Sequence, residues 1–186
     1  MDSGYRKETR LSGTGGQGIV LAGILLAEAA GVHEDRHVVQ TQSYGPEARG
    51  GASRTDVIIS STQILHSQIA RPDVLVCLSQ EAFNKFGQGL KPDGLLIIDP
   101  LFVDAAPETT ARTIKIEATQ VAASIGNRRA ANMVALGALG AASNVVLRES
   151  IEKALVKYVP ARMVDVNLKA LAAGYDYVLK QGGLDG

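Results

Sequence analysis

A glycine-rich stretch, GTGGQG at residues 13–18, separates two segments with different hydrophobic patterns. The residues before it, Lys7 to Ser12, alternate polar and apolar as in a half-buried strand. A small and aliphatic run then extends from Ile19 to Ala30, as in a buried helix. Glycines allow the sharp turn that such a junction requires. The stretch therefore predicts a strand, a tight turn and a helix, which is the first unit of an α/β fold.

The same stretch is a candidate phosphate site. Gly13, Gly15 and Gly18 have the Gly-x-Gly-x-x-Gly spacing, and a helix that follows directly offers unpaired N–H groups and the positive end of its dipole. The alternative is that the glycines only allow the helix to pack closely on the sheet. The predicted cofactor-binding residues are Gly13, Thr14, Gly15, Gly16, Gln17 and Gly18.

Two signatures that would make this turn a complete nucleotide site are missing. An NAD site needs an acidic residue at the end of the second strand, but residues 38–43 read VVQTQS and Asp35 comes too early. A nucleotide-hydrolase P-loop needs a lysine followed by serine or threonine, which the turn lacks. A stand-alone dinucleotide-binding enzyme is therefore the disfavoured alternative.

The remaining chain predicts one α/β domain over residues 1–186, with a core at about 8–179. Its fold is Rossmann-like: a mostly parallel sheet, helices on both faces and helices at the C-terminus. The second and third strands are linked too briefly for a helical crossover, so they run antiparallel or are separated by a wide loop. Further strands are predicted at His37–Ser43, Ser53–Ser60, Asp73–Ser79, Gly94–Asp99 and Arg112–Glu117. Helices are predicted at Gly18–Ala30 with a left-handed stop at Gly31, and at Gln80–Phe86, Arg128–Ala142, Glu149–Tyr158 and Val164–Leu179.

A second constellation, QSYGPEARGGASR at residues 42–54, follows the second strand. Its arginines can present forked donors to a carboxylate or a phosphate. Because this loop and the glycine turn each follow a strand, they are expected to meet at the carboxyl edge of the sheet. The alternative is a solvated loop in which Arg49 pairs with Glu47. The predicted cleft or subunit-contact residues are Ser43, Tyr44, Gly45, Pro46, Glu47, Arg49, Gly50, Gly51, Ser53 and Arg54.

No catalytic residue or metal site is predicted. The three histidines lack metal-ligand spacing, and the single cysteine, Cys77, lies in an apolar run that indicates an inert buried thiol. Asp99 is expected to cap the turn after its strand or to touch a ligand, and Ser79 to cap a helix. Asn132, in an otherwise apolar helix, is expected to make a structural hydrogen bond.

Composition narrows the function classes. Lysine plus arginine and aspartate plus glutamate number 19 each, so no net charge recruits nucleic acid or an anionic membrane. No targeting or membrane-spanning segment is evident, and a cytoplasmic protein is expected.

The motifs together resemble the gamma subunit of 2-oxoacid:ferredoxin oxidoreductases, and most closely that of the 2-oxoglutarate enzyme. The resemblance covers about residues 8–179, and the arginine-glycine loop is its most specific part. It rests on four motifs: GTGGQG at 13–18, QSYGPEARGGASR at 42–54, DVIIS at 56–60 and SQEA at 79–82.

This resemblance implies a subunit of a complex that oxidatively decarboxylates a 2-oxoacid to an acyl-coenzyme A and passes electrons to ferredoxin. Thiamine diphosphate, Mg²⁺ and the iron-sulfur clusters would then belong to alpha, beta or delta partner subunits. The glycine turn would serve coenzyme A, and the loop from Ser43 to Arg54 would complete the cleft or contact the alpha subunit. An assembly module without a ligand remains an alternative, and the isolated chain is expected to be inactive and able to pair with itself.

Overall fold

The computed structural model describes residues 4–43, 51–104 and 111–182, and these form one α/β unit around a six-stranded sheet. The strand order is β2-β3-β1-β4-β5-β6. The strands are β1 (Arg6–Thr14), β2 (His37–Ser43), β3 (Ala52–Ser60), β4 (Val74–Cys77), β5 (Leu95–Ile98) and β6 (Arg112–Lys115). The helices are α1 (Ile19–Glu28), α2 (Gln80–Phe86), α3 (Ala118–Ser124), α4 (Ala131–Ser143), α5 (Arg148–Tyr158) and α6 (Ala161–Gly182).

The sheet is parallel apart from β3. This strand runs antiparallel to both β2 and β1, with Ser43 opposite Arg54 and Thr14 opposite Ala52. The strands β1, β4, β5 and β6 pair parallel to one another. The predicted mostly parallel sheet is confirmed, and of the two arrangements expected for the second and third strands the antiparallel one is found.

Helices cover both faces of the sheet, as predicted, but unequally. Alternate strand residues such as Val76 and Ile97 join the larger apolar cluster, which includes residues of α1 and of the C-terminal helices α3 to α6. Their neighbours Cys77 and Ile98 face the other way and pack with Phe83 of α2. Since successive strand residues point to opposite faces, the unbroken apolar runs of β4 and β5 reflect burial on both sides.

The longest helix, α6, crosses α4 at two glycine contacts. A Cβ atom on Gly137 would overlap the backbone carbonyl of Leu171, and one on Gly174 would overlap that of Val134. The small residues of α4 therefore allow backbone-to-backbone packing, which holds α4 tightly against the sheet and α6. No helix among the described residues is long and apolar enough to cross a bilayer.

The predicted left-handed stop at Gly31 is wrong. The helix loosens into a π-helical turn over Ala29–His33 and runs past Gly31, whose Cα lies close to the Val38 side chain. The left-handed residue is instead Asp35, with φ of 52°. A Cβ atom at Gly31 would make only an ordinary van der Waals contact with the Val38 side chain, so packing does not explain the glycine here.

Candidate functional site

The glycine turn lies at the edge where the parallel strands end. From β1 the chain passes through α1 to β2 on one side, whereas from β4 it passes through α2 to β5 on the other. The ends of β1 and β4 therefore flank a topological switch point, the position at which open α/β sheets bind ligands.

The turn uses two glycines in conformations that other residues rarely adopt. Gly16 has φ of 94° and Gly18 has φ of 72°. Helix α1 begins at Ile19, and no described side chain caps its N-terminus. The first-turn N–H groups of α1 are therefore free to bind an acceptor from a ligand.

Two amide side chains fix the turn in place. The Oε1 atom of Gln17 accepts a 2.7 Å hydrogen bond from the backbone N–H of Thr14, and its Nε2 atom donates to the carbonyl of Leu78 at 2.9 Å. Nδ2 of Asn132 donates to the carbonyl of Gly18 at 3.0 Å. The expected structural hydrogen bond of Asn132 is confirmed, and its partner is the glycine turn itself.

A cavity of about 360 Å³ opens beside this turn. One part of its wall is apolar, with Leu78 and Phe102, and another part includes Arg128 and Arg129. Its lining residues are Gly16, Gln17, Leu78, Phe102, Thr119, Arg128, Arg129 and Ala131.

The charge of this cavity is positive. Arg128 and Arg129 are exposed, and neither forms an ion pair with a described residue. Among the described residues of the lining, none is acidic. Two unpaired guanidinium groups beside an uncapped helix N-terminus favour a phosphate or carboxylate ligand.

The base of the arginine-glycine loop adjoins the glycine turn. Gly15 donates its backbone N–H to the carbonyl of Gly51 at 3.3 Å, and the Ser53 hydroxyl donates to the carbonyl of Gly13 at 3.3 Å. The predicted meeting of the two segments at one sheet edge is thus confirmed for the described residues. Six predicted residues of the loop lie outside those residues: Tyr44, Gly45, Pro46, Glu47, Arg49 and Gly50.

Arg54 lies on the α2 face of the sheet and does not line the cavity. Its guanidinium carbon is 5.3 Å from the centre of the Phe86 ring, and its Nε is 3.9 Å from Oδ2 of Asp56. Asp56 is itself buried and forms a bidentate pair with buried Arg10, at 2.7 and 2.8 Å. Half-exposed Arg54 therefore remains available to a partner on that face, away from the glycine turn.

The other singled-out side chains have structural partners. Ser79 caps α2 by accepting from the N–H of Ala82. Asp99 accepts from the N–H of Leu101 and from both the N–H and hydroxyl of Thr119, so its carboxylate caps two turns. Cys77 is buried, as predicted, and this burial raises the pKa of its thiol to about 12.

The sequence did not single out Arg128, Arg129, Phe102 or Thr119 as site residues. The two arginines follow Asn127, whose side chain accepts from the N–H of Arg129 in a 3₁₀ turn before α4. A pair of adjacent arginines at a capped helix start was the available signal. Within the described residues, no group of three histidine, cysteine, aspartate or glutamate side chains is placed to hold a metal ion.

The sequence profile of the family described as pyruvate ferredoxin/flavodoxin oxidoreductase matches residues 8–177. The 2-oxoglutarate synthase subunit KorC of Methanocaldococcus jannaschii is 46% identical over 174 residues, which is 92% of this chain and 93% of that protein.

Two solved structures share the fold. The gamma subunit of a keto/oxoacid ferredoxin oxidoreductase from Geobacter sulfurreducens has a TM-score of 0.85 and 42% identity, over 94% of this chain and 99% of that one. A 2-oxoglutarate:ferredoxin oxidoreductase from Magnetococcus marinus, with 2-oxoglutarate, coenzyme A and succinyl-CoA bound, has a TM-score of 0.84 and 24% identity. The match covers 94% of this chain and 31% of that longer chain, and it shows the fold alone.

Proposed function

Because this chain belongs to the pyruvate ferredoxin/flavodoxin oxidoreductase family, as a gamma subunit of a 2-oxoacid:ferredoxin oxidoreductase with 2-oxoglutarate the favoured substrate, we propose that its glycine turn binds the phosphates of coenzyme A. In this proposal the chain is a binding and assembly subunit. Partner subunits supply thiamine diphosphate, Mg²⁺ and iron-sulfur clusters, and ferredoxin accepts the electrons.

The observation that carries the proposal is the junction of the glycine turn with Arg128 and Arg129 in one cavity. Coenzyme A carries a diphosphate and a separate ribose phosphate, so it needs several cationic or N–H donors close together. The uncapped start of α1 supplies N–H groups and the two arginines supply full charges. The apolar wall at Leu78 and Phe102 suits the less polar parts of the same ligand.

A cavity of about 360 Å³ is small for a whole coenzyme A molecule, which supports a division of the ligand between this chain and partner subunits. Phosphates held at Gly16 and the arginines would leave the thiol end of coenzyme A to extend toward partner subunits. The Magnetococcus enzyme, which has this fold as part of a longer chain, contains bound coenzyme A. The reacting thiol would then meet the acyl group outside this chain, which agrees with the absence of a predicted catalytic set in its sequence.

The loop between Ser43 and Arg54 is proposed to contact the alpha subunit or to close the cleft. Its C-terminal end is held at the glycine turn, through Gly51 and Ser53, so a partner bound to the loop would lie beside the cavity. An assembly module without a ligand is the competing function. It predicts no coenzyme A affinity that depends on the turn or on the arginines.

The test is titration calorimetry of coenzyme A on the assembled complex. Arg128→Ala and Arg129→Ala should each weaken binding roughly tenfold, the loss expected for one charge-assisted hydrogen bond to a phosphate. Arg162→Ala is the matched control, because Arg162 is an exposed arginine in the first turn of α6, outside the cavity lining. Its affinity should equal that of the unaltered complex.

Substitution of the turn gives a second readout. Gly15→Trp and Gly16→Trp should abolish coenzyme A binding while the complex still assembles. Unchanged affinity in these variants and in both arginine variants would refute the assignment and favour the assembly module. Loss of assembly with retained affinity in the assembled fraction would place the turn at a subunit contact instead.

A further inference from the structure

We propose that the outer edge of β2 joins two copies of this chain, by antiparallel pairing about Gln40 that makes one continuous sheet. The proposed contact uses the open lateral edge of β2, whereas the proposed coenzyme A site lies at the carboxyl ends of the strands. It goes beyond the proposed function and does not depend on it.

The outer side of β2 is an open strand edge. All seven residues of β2 pair with β3, and no other described strand pairs with its opposite side. Within residues 4–43, 51–104 and 111–182, no strand pairs with its outward N–H and C=O groups. Natural proteins protect such edges with lysines, prolines, bulges or short strands. The sequence HVVQTQS contains no proline and no lysine, and its single ionisable side chain is that of His37 at the first position.

The opposite edge of the same sheet has the protection that β2 lacks. Strand β6 is only four residues long and has exposed charged side chains, Arg112 and Lys115, at its two ends. The Tyr177 hydroxyl of α6 donates to the Lys115 carbonyl at 2.7 Å and so occupies one acceptor near this edge. A second copy therefore has one open edge available to it, the edge of β2.

Contact between two identical edges fixes the geometry. An isologous contact has two-fold symmetry, and two strands related by such an axis in a sheet run antiparallel. The full seven-residue length pairs when the axis passes through the central residue, Gln40. Val39 then lies opposite Thr41 of the other copy, and Gln40 opposite Gln40. No like charges oppose one another in this register, so the strand is complementary to itself.

The experiment is sedimentation equilibrium of the full chain and four variants. Gln40→Lys and Gln40→Glu each place like charges opposite each other at the axis, and each should raise the dimer dissociation constant on the order of fivefold or more. Gln40→Ala removes the same hydrogen bond from Gln40 to Thr55 without adding charge, and it should dimerise like the unaltered chain. Gln63→Lys is the matched control, because Gln63 is exposed and lies outside β2.

The decisive step is to mix the Gln40→Lys and Gln40→Glu variants. Opposite charges then meet at the axis, and the mixture should form a heterodimer at least as tight as the unaltered dimer. A chain that stays monomeric at all concentrations would overturn the proposal, and so would a mixture that fails to recover association. Association that Gln40→Lys and Gln63→Lys weaken equally would also overturn it, since the dimer would then lie elsewhere.

Discussion

The side-chain amide of Asn132 donates a 3.0 Å hydrogen bond to the backbone carbonyl of Gly18, across 114 positions of sequence. It joins the first turn of α4 to the last residue of the glycine turn. Because Arg128 and Arg129 directly precede α4, this contact also brings their charges beside the turn. The positive cavity is therefore a consequence of how α4 is seated on the sheet.

Alanine substitutions at Gly16 and Gly18 should destabilise the fold to different extents. Both residues have positive φ, which costs an alanine about 1 kcal/mol. A Cβ atom at Gly16 meets open space, whereas one at Gly18 would overlap the Asn132 amide. Urea unfolding should show a loss of about 1 kcal/mol for Gly16→Ala and roughly 3 kcal/mol for Gly18→Ala.

The double variant Gly18→Ala with Asn132→Ala separates the two causes. Removal of the amide relieves the overlap but not the backbone strain, so the combined loss should be smaller than the sum of the single losses. Additive losses would contradict direct contact between these residues. Equal losses of unfolding free energy for Gly16→Ala and Gly18→Ala would also contradict direct contact between Gly18 and Asn132.

Gln17 should affect both stability and ligand binding, through different properties of its side chain. Gln17→Ala leaves the Thr14 N–H and the Leu78 carbonyl without their partner, at a cost of about 1 to 2 kcal/mol in the free energy of unfolding. Gln17→Glu keeps an acceptor for Thr14 but adds a negative charge to the cavity wall.

Coenzyme A affinity distinguishes the two Gln17 variants. If the cavity holds phosphates, calorimetry on the complex should show a larger loss of affinity for Gln17→Glu than for Gln17→Ala, and added salt should narrow the difference. A larger loss for Gln17→Ala would show that turn geometry matters more than charge.

Local sequence signals were sufficient to predict many of the helices and strands. The predicted bounds of β2 and α2 match the structure: β2 contains the β-branched residues Val38, Val39 and Thr41, and the Ser79 cap marks the start of α2. The expectation that β2 and β3 either run antiparallel or are separated by a wide loop followed from a connection too short for a helical crossover, and the structure has them antiparallel. These features depend on residues that are near neighbours in the chain, which is why a single sequence contains them.

The rest of the site depends on contacts between distant segments. Nothing near Arg128 or Phe102 in the sequence indicates that α4 and the end of β5 meet the glycine turn, because strand order decides it. The stop predicted at Gly31 failed because the helix continues past it in a π-helical turn, and the positive φ that the local rule assigns to a glycine falls on Asp35 instead.

Removal of one partner of the Arg10–Asp56 ion pair should destabilise the fold more than replacement of both residues with apolar side chains. Both residues are at least 94% buried, and Arg10 also donates to the carbonyl of Ile69. Asp56→Ala leaves a buried guanidinium without its counter-charge and should reduce the free energy of unfolding by about 3 to 5 kcal/mol. The double variant Arg10→Met with Asp56→Leu should lose less than Asp56→Ala in urea unfolding. A double variant less stable than Asp56→Ala would show that the pair itself supplies net stability.

Cys77 should make stability depend on pH in the alkaline range. Burial raises the pKa of its thiol from 9.0 to about 12, so the unfolded chain loses this proton at a lower pH than the folded chain. The stabilising contribution is complete below pH 9 and is lost between pH 9 and about 12. Over that window the free energy of unfolding should fall by up to about 1.4 kcal/mol per pH unit from this group alone.

Comparison with Cys77→Ala isolates this effect, because other groups titrate identically in both proteins. The difference in unfolding free energy between the two proteins should shrink as pH rises above 9. The folded thiol should also resist a thiol reagent at pH 8 and react at the rate of unfolding, since only the unfolded chain presents the thiolate. Reaction faster than unfolding would show that the reagent reaches Cys77 in the folded chain.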